Sequence, residues 1–170
     1  PPAGGKDHKC IFVTSGGFLI RTCWDDLSGT IARDIVDMPG LGQEVHKSAF
    51  SHCGSLLAAL SHEVSMLVGS VHVSLYNTET MSVVRKVTIN DCTPGQYNLV
   101  AFSPNGKTLV FDVGRDELLF LQVHNLSIRK RIGQNEDPTS SILTLAIAFD
   151  PTSQFMASPL LSDYVRLWNH

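Results

Sequence analysis

The sequence has no excess of basic residues: 13 lysines and arginines stand against 16 aspartates and glutamates, for a net charge of −3 at pH 7. A protein that binds nucleic acid mainly through phosphates needs such an excess. The one local basic run is Arg129-Lys130-Arg131, and a run this short is typical of a solvated strand edge. The composition therefore argues against nucleic-acid binding and leaves this run as the one candidate patch.

Cysteine pairs and long apolar segments are also missing. The four cysteines show no C-x-x-C pair and no spacing typical of metal ligands; they are Cys10, Cys23, Cys53 and Cys92. Scattered single cysteines are typical of reduced thiols in an intracellular protein, although the sequence also allows two disulfides. No apolar run approaches the ~18 residues that a membrane helix needs. We predict an intracellular protein, cytoplasmic or nuclear, that has no membrane partner.

The start of the chain carries no targeting segment. It reads PPAGGKDH, without an initiator methionine or a signal peptide. We expect residues 1–8 to be a disordered or cut end of a longer protein, and residues 9–170 to form the folded part.

A short motif, by contrast, occurs three times. The segments AFSHCG, AFSPNG and AFDPTS each contain a turn signature, and their phenylalanines lie roughly 50 residues apart, at Phe50, Phe102 and Phe149. A second series follows the same spacing, at Trp24, Tyr76, Gln122 and Trp168. Because two independent anchors share one period, the sequence indicates a tandem repeat.

Within each repeat the apolar residues alternate with a period of two. Val71, Val73 and Leu75 are separated by His72 and Ser74, which is the pattern of a β-strand. No stretch of the chain shows convincing helical spacing. The sequence therefore predicts an all-β fold.

These features resemble the WD-repeat family of β-propellers. The resemblance rests on the AFSPNG type of turn and on the VRLWN ending of the last repeat. It implies blades of four antiparallel strands, a to d, and about 14 strands in all, which is about three and a half blades. The implied units are 9–44, 45–97, 98–141 and 142–170, with three, four, four and three strands.

The repeats also depart from the family pattern. No Gly-His pair occurs, and the aspartate expected in the b–c turn is matched only by Asp116 and Asp163. The His–Ser–Asp–Trp hydrogen-bond network of the family is therefore incomplete in every blade. We expect apolar stacking between blades to hold the repeats together, with Trp24, Tyr76 and Trp168 packing there rather than stacking on a ligand.

The expected strand count does not close a ring, since propellers usually have 4–8 blades. The missing blades would come from the rest of a longer chain or from a second copy in a homodimer. Both sources stay open at the level of the sequence.

Motifs with catalytic or cofactor chemistry are fragmentary. Gly106-Lys107-Thr108 looks like the end of a phosphate-binding loop, but Ala101 stands where the first glycine belongs, and a β-turn is the better interpretation. His46, His52 and Cys53 straddle a strand and its turn without a second ligand pair, which argues against a zinc site. We predict no enzyme activity, no metal and no cofactor.

The sequence therefore predicts a protein–protein interaction scaffold that acts within a larger chain or assembly. The alternatives are a nucleic-acid-associated propeller that uses the basic run and, less favoured, a propeller enzyme. The resemblance places partner binding on the b–c and d–a loops, where an insert of about six residues contains His62, Glu63, Met66 and Leu67. This insert could instead only lengthen a hairpin. Further candidates on the same face are Arg115, Asp116 and Glu136.

Overall fold

The computed structural model describes residues 7–14, 18–25, 31–37, 45–64, 69–92, 99–113, 117–132, 146–159 and 165–169. These residues form fourteen β-strands and no helix, which confirms the all-β prediction. The strands are β1 (Asp7–Val13), β2 (Phe18–Asp25), β3 (Ile31–Asp37), β4 (Val45–Phe50), β5 (Leu56–Val64), β6 (Gly69–Asn77), β7 (Ser82–Cys92), β8 (Val100–Phe102), β9 (Thr108–Asp112), β10 (Leu118–Gln122), β11 (Ile128–Ile132), β12 (Ala148–Phe149), β13 (Phe155–Pro159) and β14 (Val165–Asn169).

The strands form four separate antiparallel sheets, in which each strand pairs with the next strand along the chain. Blade 1 contains β1–β3, blade 2 contains β4–β7, blade 3 contains β8–β11, and blade 4 contains β12–β14. The division into three, four, four and three strands agrees with the prediction. The connections between paired strands are short, and short connections favour this meander order, because each strand can return only beside its predecessor.

The repeated motif folds into the same turn in blades 2, 3 and 4. In each turn the first residue donates its N–H to a carbonyl five residues ahead and accepts, through its own carbonyl, the N–H three residues ahead. Its side-chain oxygen also accepts a backbone N–H of the returning strand. The first residues of the three turns are Ser51, Ser103 and Asp150. The repeated sequence motif therefore corresponds to a repeated set of hydrogen bonds within the turn.

The fourth position of each turn has a positive φ, at Gly54, Gly106 and Ser153. We expect Gly106→Ala to lower the free energy of unfolding by about 1 kcal/mol, because a Cβ disfavours this backbone region. No heavy atom lies within 4 Å of a Cβ built on Gly106, so steric contact adds nothing. Urea unfolding measures the effect. Gly106→Asn should cost less than alanine, and equal losses would contradict a conformational origin.

The strand register corrects one position of the sequence alignment. Leu57 pairs with Tyr76 in blade 2, and Met156 pairs with Trp168 in blade 4. The equivalent pair in blade 3 joins Leu109 to Leu121, so Leu121 occupies the repeat position that the sequence assigned to Gln122. A slip of one residue moves a side chain to the opposite face of a sheet, and Leu121 is indeed fully buried.

Three apolar clusters lie between successive blades. The cluster between blades 1 and 2 contains Leu19, Val45, Leu57, Ala59, Tyr76 and Met81. The cluster between blades 2 and 3 is the largest and includes Leu60, Val73, Leu75, Phe111, Leu119 and Leu121. The cluster between blades 3 and 4 contains Leu99, Val110, Leu118, Phe120, Ile132, Met156 and Trp168. The core therefore consists of blade-to-blade contacts.

Alternation along each strand divides a blade into two faces. We call the face that packs on the preceding blade the leading face, and the one that packs on the following blade the trailing face. In blade 3, Leu109 and Phe111 lie on the leading face, whereas Val110 and Phe120 lie on the trailing face. Every residue of β9 is buried, because blade 3 is covered on both sides. This explains why its inner strands β9 and β10 are mostly apolar.

Polar contacts also join neighbouring blades. Arg21 of blade 1 donates a hydrogen bond to the carbonyl of Glu79 in blade 2. The N–H of Asn105 in blade 3 donates to Ser153 Oγ in blade 4 over 3.0 Å. Within blade 4, the indole N–H of Trp168 donates to Ser158 Oγ over 2.8 Å. These bonds fix the turns and the repeat tryptophan against the apolar clusters.

Candidate interaction surfaces

The insert between β5 and β6 continues the hairpin for several residues. His62 pairs with Val71, Glu63 pairs with Ser70, and Val64 pairs with Gly69. The backbone of this part is thus regular strand, as expected if the insert lengthens the hairpin. The side chains of His62 and Glu63 are outside the description, and Met66 and Leu67 fall in the undescribed segment 65–68. A partner-binding role for these four residues stays a prediction.

The remaining loop candidates lie outside the described residues. Arg115 and Asp116 belong to segment 114–116, and Glu136 belongs to segment 133–145. Trp24 lies in β2, where it pairs with His8 and Ile31, and its side chain is not described.

The other repeat aromatics have different environments. Tyr76 and Trp168 lie in inter-blade clusters and are 1% and 9% exposed. Phe102 is buried, Phe149 is partly buried, and Phe50 is exposed. The three phenylalanines of the repeat therefore differ in burial from blade to blade.

The outer face of blade 4 is apolar and exposed. Phe155, Val165 and Leu167 point away from blade 3, because their strand neighbours Met156 and Trp168 are buried against blade 3. Val165 and Leu167 are 67% and 71% exposed. This surface is the trailing face of blade 4, and no described blade follows it.

The outer face of blade 1 has the same character. Ile20 pairs with Ile35, which is 59% exposed, and Ile31 on the same face is 66% exposed. Phe18 lies on this face as well, whereas the intervening Leu19 is fully buried against blade 2. This surface is the leading face of blade 1. The described series of blades therefore has an uncovered apolar face at each end, a leading face on blade 1 and a trailing face on blade 4.

The repeat shows that both types of face are covered elsewhere in the molecule. The residues equivalent to Leu167 are Leu75 and Phe120, and each of these is 1% exposed. The residues equivalent to Val165 are Val73 and Leu118, and both are fully buried. In blades 2 and 3 these positions lie under the following blade. Blade 4 thus has apolar residues at the positions that form inter-blade contacts in blades 2 and 3, but no described blade covers them.

The basic run lies in β11, which is the edge strand of blade 3. Arg131 forms an ion pair with Glu117, with a distance of 3.1 Å between Nη1 and Oε1. Arg129 is exposed and lines a surface cavity. The run therefore does not present three equivalent cations on one surface.

Cys53 is the most accessible thiol among the four free cysteines. It lies in the first repeated turn, and its sulfur is 2.9 Å from the hydroxyl of Ser55 and 3.6 Å from that of Ser51. The Ser55 hydroxyl and N–H, followed by the Ser51 hydroxyl, lower the pKa of the Cys53 thiol to about 7. Hydrogen bonds to sulfur stabilise the thiolate form.

We expect Cys53 to react first with an aromatic disulfide reagent, with a half-maximal rate near pH 7. Buried Cys92 should stay protected until the chain unfolds. Absorbance of the released thiolate, followed as a function of pH, measures the rate. Ser55→Ala should move the midpoint to higher pH, and Cys53→Ser should remove the fast reaction. An unchanged midpoint in Ser55→Ala contradicts the assigned cause.

The described part of the chain offers neither a metal-binding cluster nor a membrane-spanning helix. There, no group of three or more histidine, cysteine, aspartate or glutamate side chains is arranged to hold a metal ion. No helix among the described residues has the length and apolar character to cross a membrane.

Comparison with known proteins adds no relative. A scan of protein-family models gives no match, and no curated protein is significantly similar to the chain.

Proposed function

We propose that the chain is a protein–protein interaction scaffold, built as a segment of a WD-repeat-like β-propeller that works within a larger chain or assembly. The observation that carries this proposal is the pair of uncovered apolar faces at the two ends of the blade series. Contiguous exposed apolar patches are typical of surfaces that bind other proteins.

The occupant of each end face is a further blade of the same type. In this molecule every covered trailing face packs on a leading face, and blade 4 offers an uncovered trailing face that contains Val165 and Leu167. Blade 1 offers the complementary leading face, with Ile31 and Ile35. Burial of each such side chain contributes about 1–2 kcal/mol, so covering both faces stabilises the assembly substantially.

The two faces predict a directional, head-to-tail contact. Because the faces differ, a second copy would place its leading face on the first copy's trailing face. Contacts of this kind close into a ring or extend into an open chain of molecules. The further blades of a longer chain would meet the same two faces in the same order.

The alternatives from the sequence have weaker support. A nucleic-acid-binding surface needs clustered, unpaired cations, and the basic run is interrupted by the ion pair of Arg131 with Glu117. A propeller enzyme would require acids or histidines that converge on one site, and no observation on the described residues points to such a site. We therefore retain the scaffold as the proposed function.

The solution mass of the chain, measured by light scattering at several concentrations, tests the proposal. A discrete mass of twice the monomer would support completion by a second copy. A mass that grows continuously with concentration would also support association through the end faces, with the closing blades supplied by another part of the assembly. A monomer at every concentration would contradict the proposal.

A further inference from the structure

A basic cavity lies on blade 3, away from both end faces. It has a volume of about 430 Å³ and lies between two turns: the one that joins β8 to β9 and the one that joins β10 to β11. A hydrogen bond of 2.9 Å from the Val123 N–H to the Lys107 carbonyl holds these two turns together. The residues that line the cavity are Gly106, Lys107, Thr108, Gln122, Val123, His124 and Arg129.

Three of the lining side chains are cationic or become cationic on protonation. Lys107, His124 and Arg129 are all exposed at the cavity. Within the described part of the chain, the lining contains no aspartate or glutamate. The cavity therefore concentrates positive charge in a protein whose net charge is −3.

A β-bulge directs Arg129 to this place. Phe120 pairs with Lys130 and Leu121 pairs with Ile128, so Arg129 is the extra residue on β11. An extra residue of this kind lies outside the ladder, and bulges characteristically redirect a side chain. The bulge thus places Arg129 among the residues that line the cavity.

Blade 2 provides an internal control for this site. It has the same bulge, in which Val84 is the extra residue between the Leu75–Arg85 and Tyr76–Val83 pairs. It also has the same bond between turns, from the Thr78 N–H to the Ser55 carbonyl over 3.1 Å.

The residues of blade 2 at the three cavity positions differ in charge from those of blade 3. The register and the shared bond align Lys107, His124 and Arg129 with Ser55, Glu79 and Val84, respectively. One backbone arrangement thus accommodates both sets of side chains. The repeat does not require three basic groups, so their presence in blade 3 needs another reason.

We infer that this cavity binds the anionic group of a protein partner, a phosphorylated or carboxylate side chain on a peptide segment. Arginine and lysine bind phosphate and carboxylate through short, charge-assisted hydrogen bonds. A volume of about 430 Å³ lies in the range of ligand pockets and can hold an anionic side chain together with part of the peptide that carries it. Phosphate and carboxylate share this chemistry, and separate probes distinguish them.

A peptide suits the site better than a nucleic acid. A nucleic acid backbone requires cations along a groove of several phosphates, whereas Lys107, His124 and Arg129 all line one cavity. Arg131, which could extend the cationic surface along β11, is occupied by Glu117. The site is also distinct from the end faces, so it adds a second kind of contact to the scaffold.

Fluorescence anisotropy of labelled probes tests the inference with the full chain. The probes are a Gly-Ser peptide with two phosphoserines, its unphosphorylated form, a hexaglutamate peptide and a short thymidine oligonucleotide. We expect the phosphopeptide or the glutamate peptide to bind and the unphosphorylated peptide not to bind. Tighter binding of the oligonucleotide than of either anionic peptide would overturn the assignment to a protein partner.

Two variants take their residues from blade 2 and therefore keep the turn and bulge. Arg129→Val and Lys107→Ser should each raise the Kd of the bound peptide about tenfold. Arg85→Val removes an exposed cation from blade 2 and should change Kd less than about twofold. Equal weakening by all three variants would indicate general charge attraction and overturn the site, as would the absence of binding to both anionic peptides.

The outcome is separable from that of the proposed function. Neither Arg129 nor Lys107 lies on an end face, so the solution mass of these two variants should equal that of the wild type. A loss of association without a loss of peptide binding would affect only the proposed function, and the reverse would affect only this inference.

Discussion

Phe120→Ala is expected to lower the free energy of unfolding by about 3–5 kcal/mol. Phe120 is 1% exposed and lies on the trailing face of blade 3, in the cluster that contains Met156 and Trp168. Truncation removes buried apolar surface and leaves a cavity between two blades, which cannot close without shifting one sheet against the other. Urea unfolding, followed by circular dichroism, measures the loss.

Leu167→Ala is the matched control, because Leu167 occupies the same repeat position in blade 4. Leu167 is 71% exposed. The Leu167→Ala substitution should therefore lower the free energy of unfolding by less than about 1 kcal/mol when the chain is monomeric. A similar loss for Phe120→Ala and Leu167→Ala under monomeric conditions would contradict the assignment of the trailing faces. A larger loss for Leu167→Ala at concentrations where the chain associates would instead indicate that a further blade covers it.

The second large effect concerns association. Leu167→Lys and Ile35→Lys are each expected to weaken self-association by more than about a hundredfold. Each places an ammonium group on an end face, and burying an unpaired charge in an apolar contact costs several kcal/mol. The measurement is solution mass by light scattering over the concentration range in which the wild type associates.

A mixing experiment distinguishes head-to-tail contact from contact between identical faces. Leu167→Lys keeps an intact leading face on blade 1, and Ile35→Lys keeps an intact trailing face on blade 4. An equimolar mixture should therefore form one heterologous contact, while each variant alone stays monomeric. Dimers of either variant alone would show that like faces pair and would contradict the proposed direction.

Val84→Lys provides the control for both variants. Val84 is 45% exposed, but it lies on β7 and outside the two end faces. The added charge should leave the association state unchanged. If Val84→Lys dissociates the assembly as strongly as Leu167→Lys, then net charge rather than the end faces controls association.

The strand plan of this chain could be predicted closely from its sequence. Turn signatures bound the hairpins and alternation marks the strands, which predicts strands over Val45–Phe50 and Ile128–Ile132, and β4 and β11 have these bounds. The prediction was less accurate where local signals were weak. The sequence predicts strands over Leu56–Leu60 and Val71–Tyr76, and β5 and β6 extend beyond these bounds, because ladder pairing continues through a segment without a turn signature.

The cavity on blade 3 was missed in the sequence for a physical reason. The sequence predicts a β-turn at Lys107, and His124 and Arg129 lie in the next hairpin. Two turns and a bulge bring these residues together, and a bulge has no sequence signature strong enough to place one extra residue. Comparison of the two hairpins after β6 and β10 would have given a signal, since Arg129 stands where blade 2 has Val84.

The sequence by itself determined the β-strand character and most turn positions, because these depend on alternation and turn chemistry within a few neighbouring residues, while the number of strands and their grouping into blades followed from the resemblance to WD-repeat propellers. It could not determine which face of a blade is covered. Leu75, Phe120 and Leu167 are all large apolar residues at one repeat position, yet the first two are buried and the third is exposed. Only the tertiary structure decides this, because burial depends on whether another blade lies on that face.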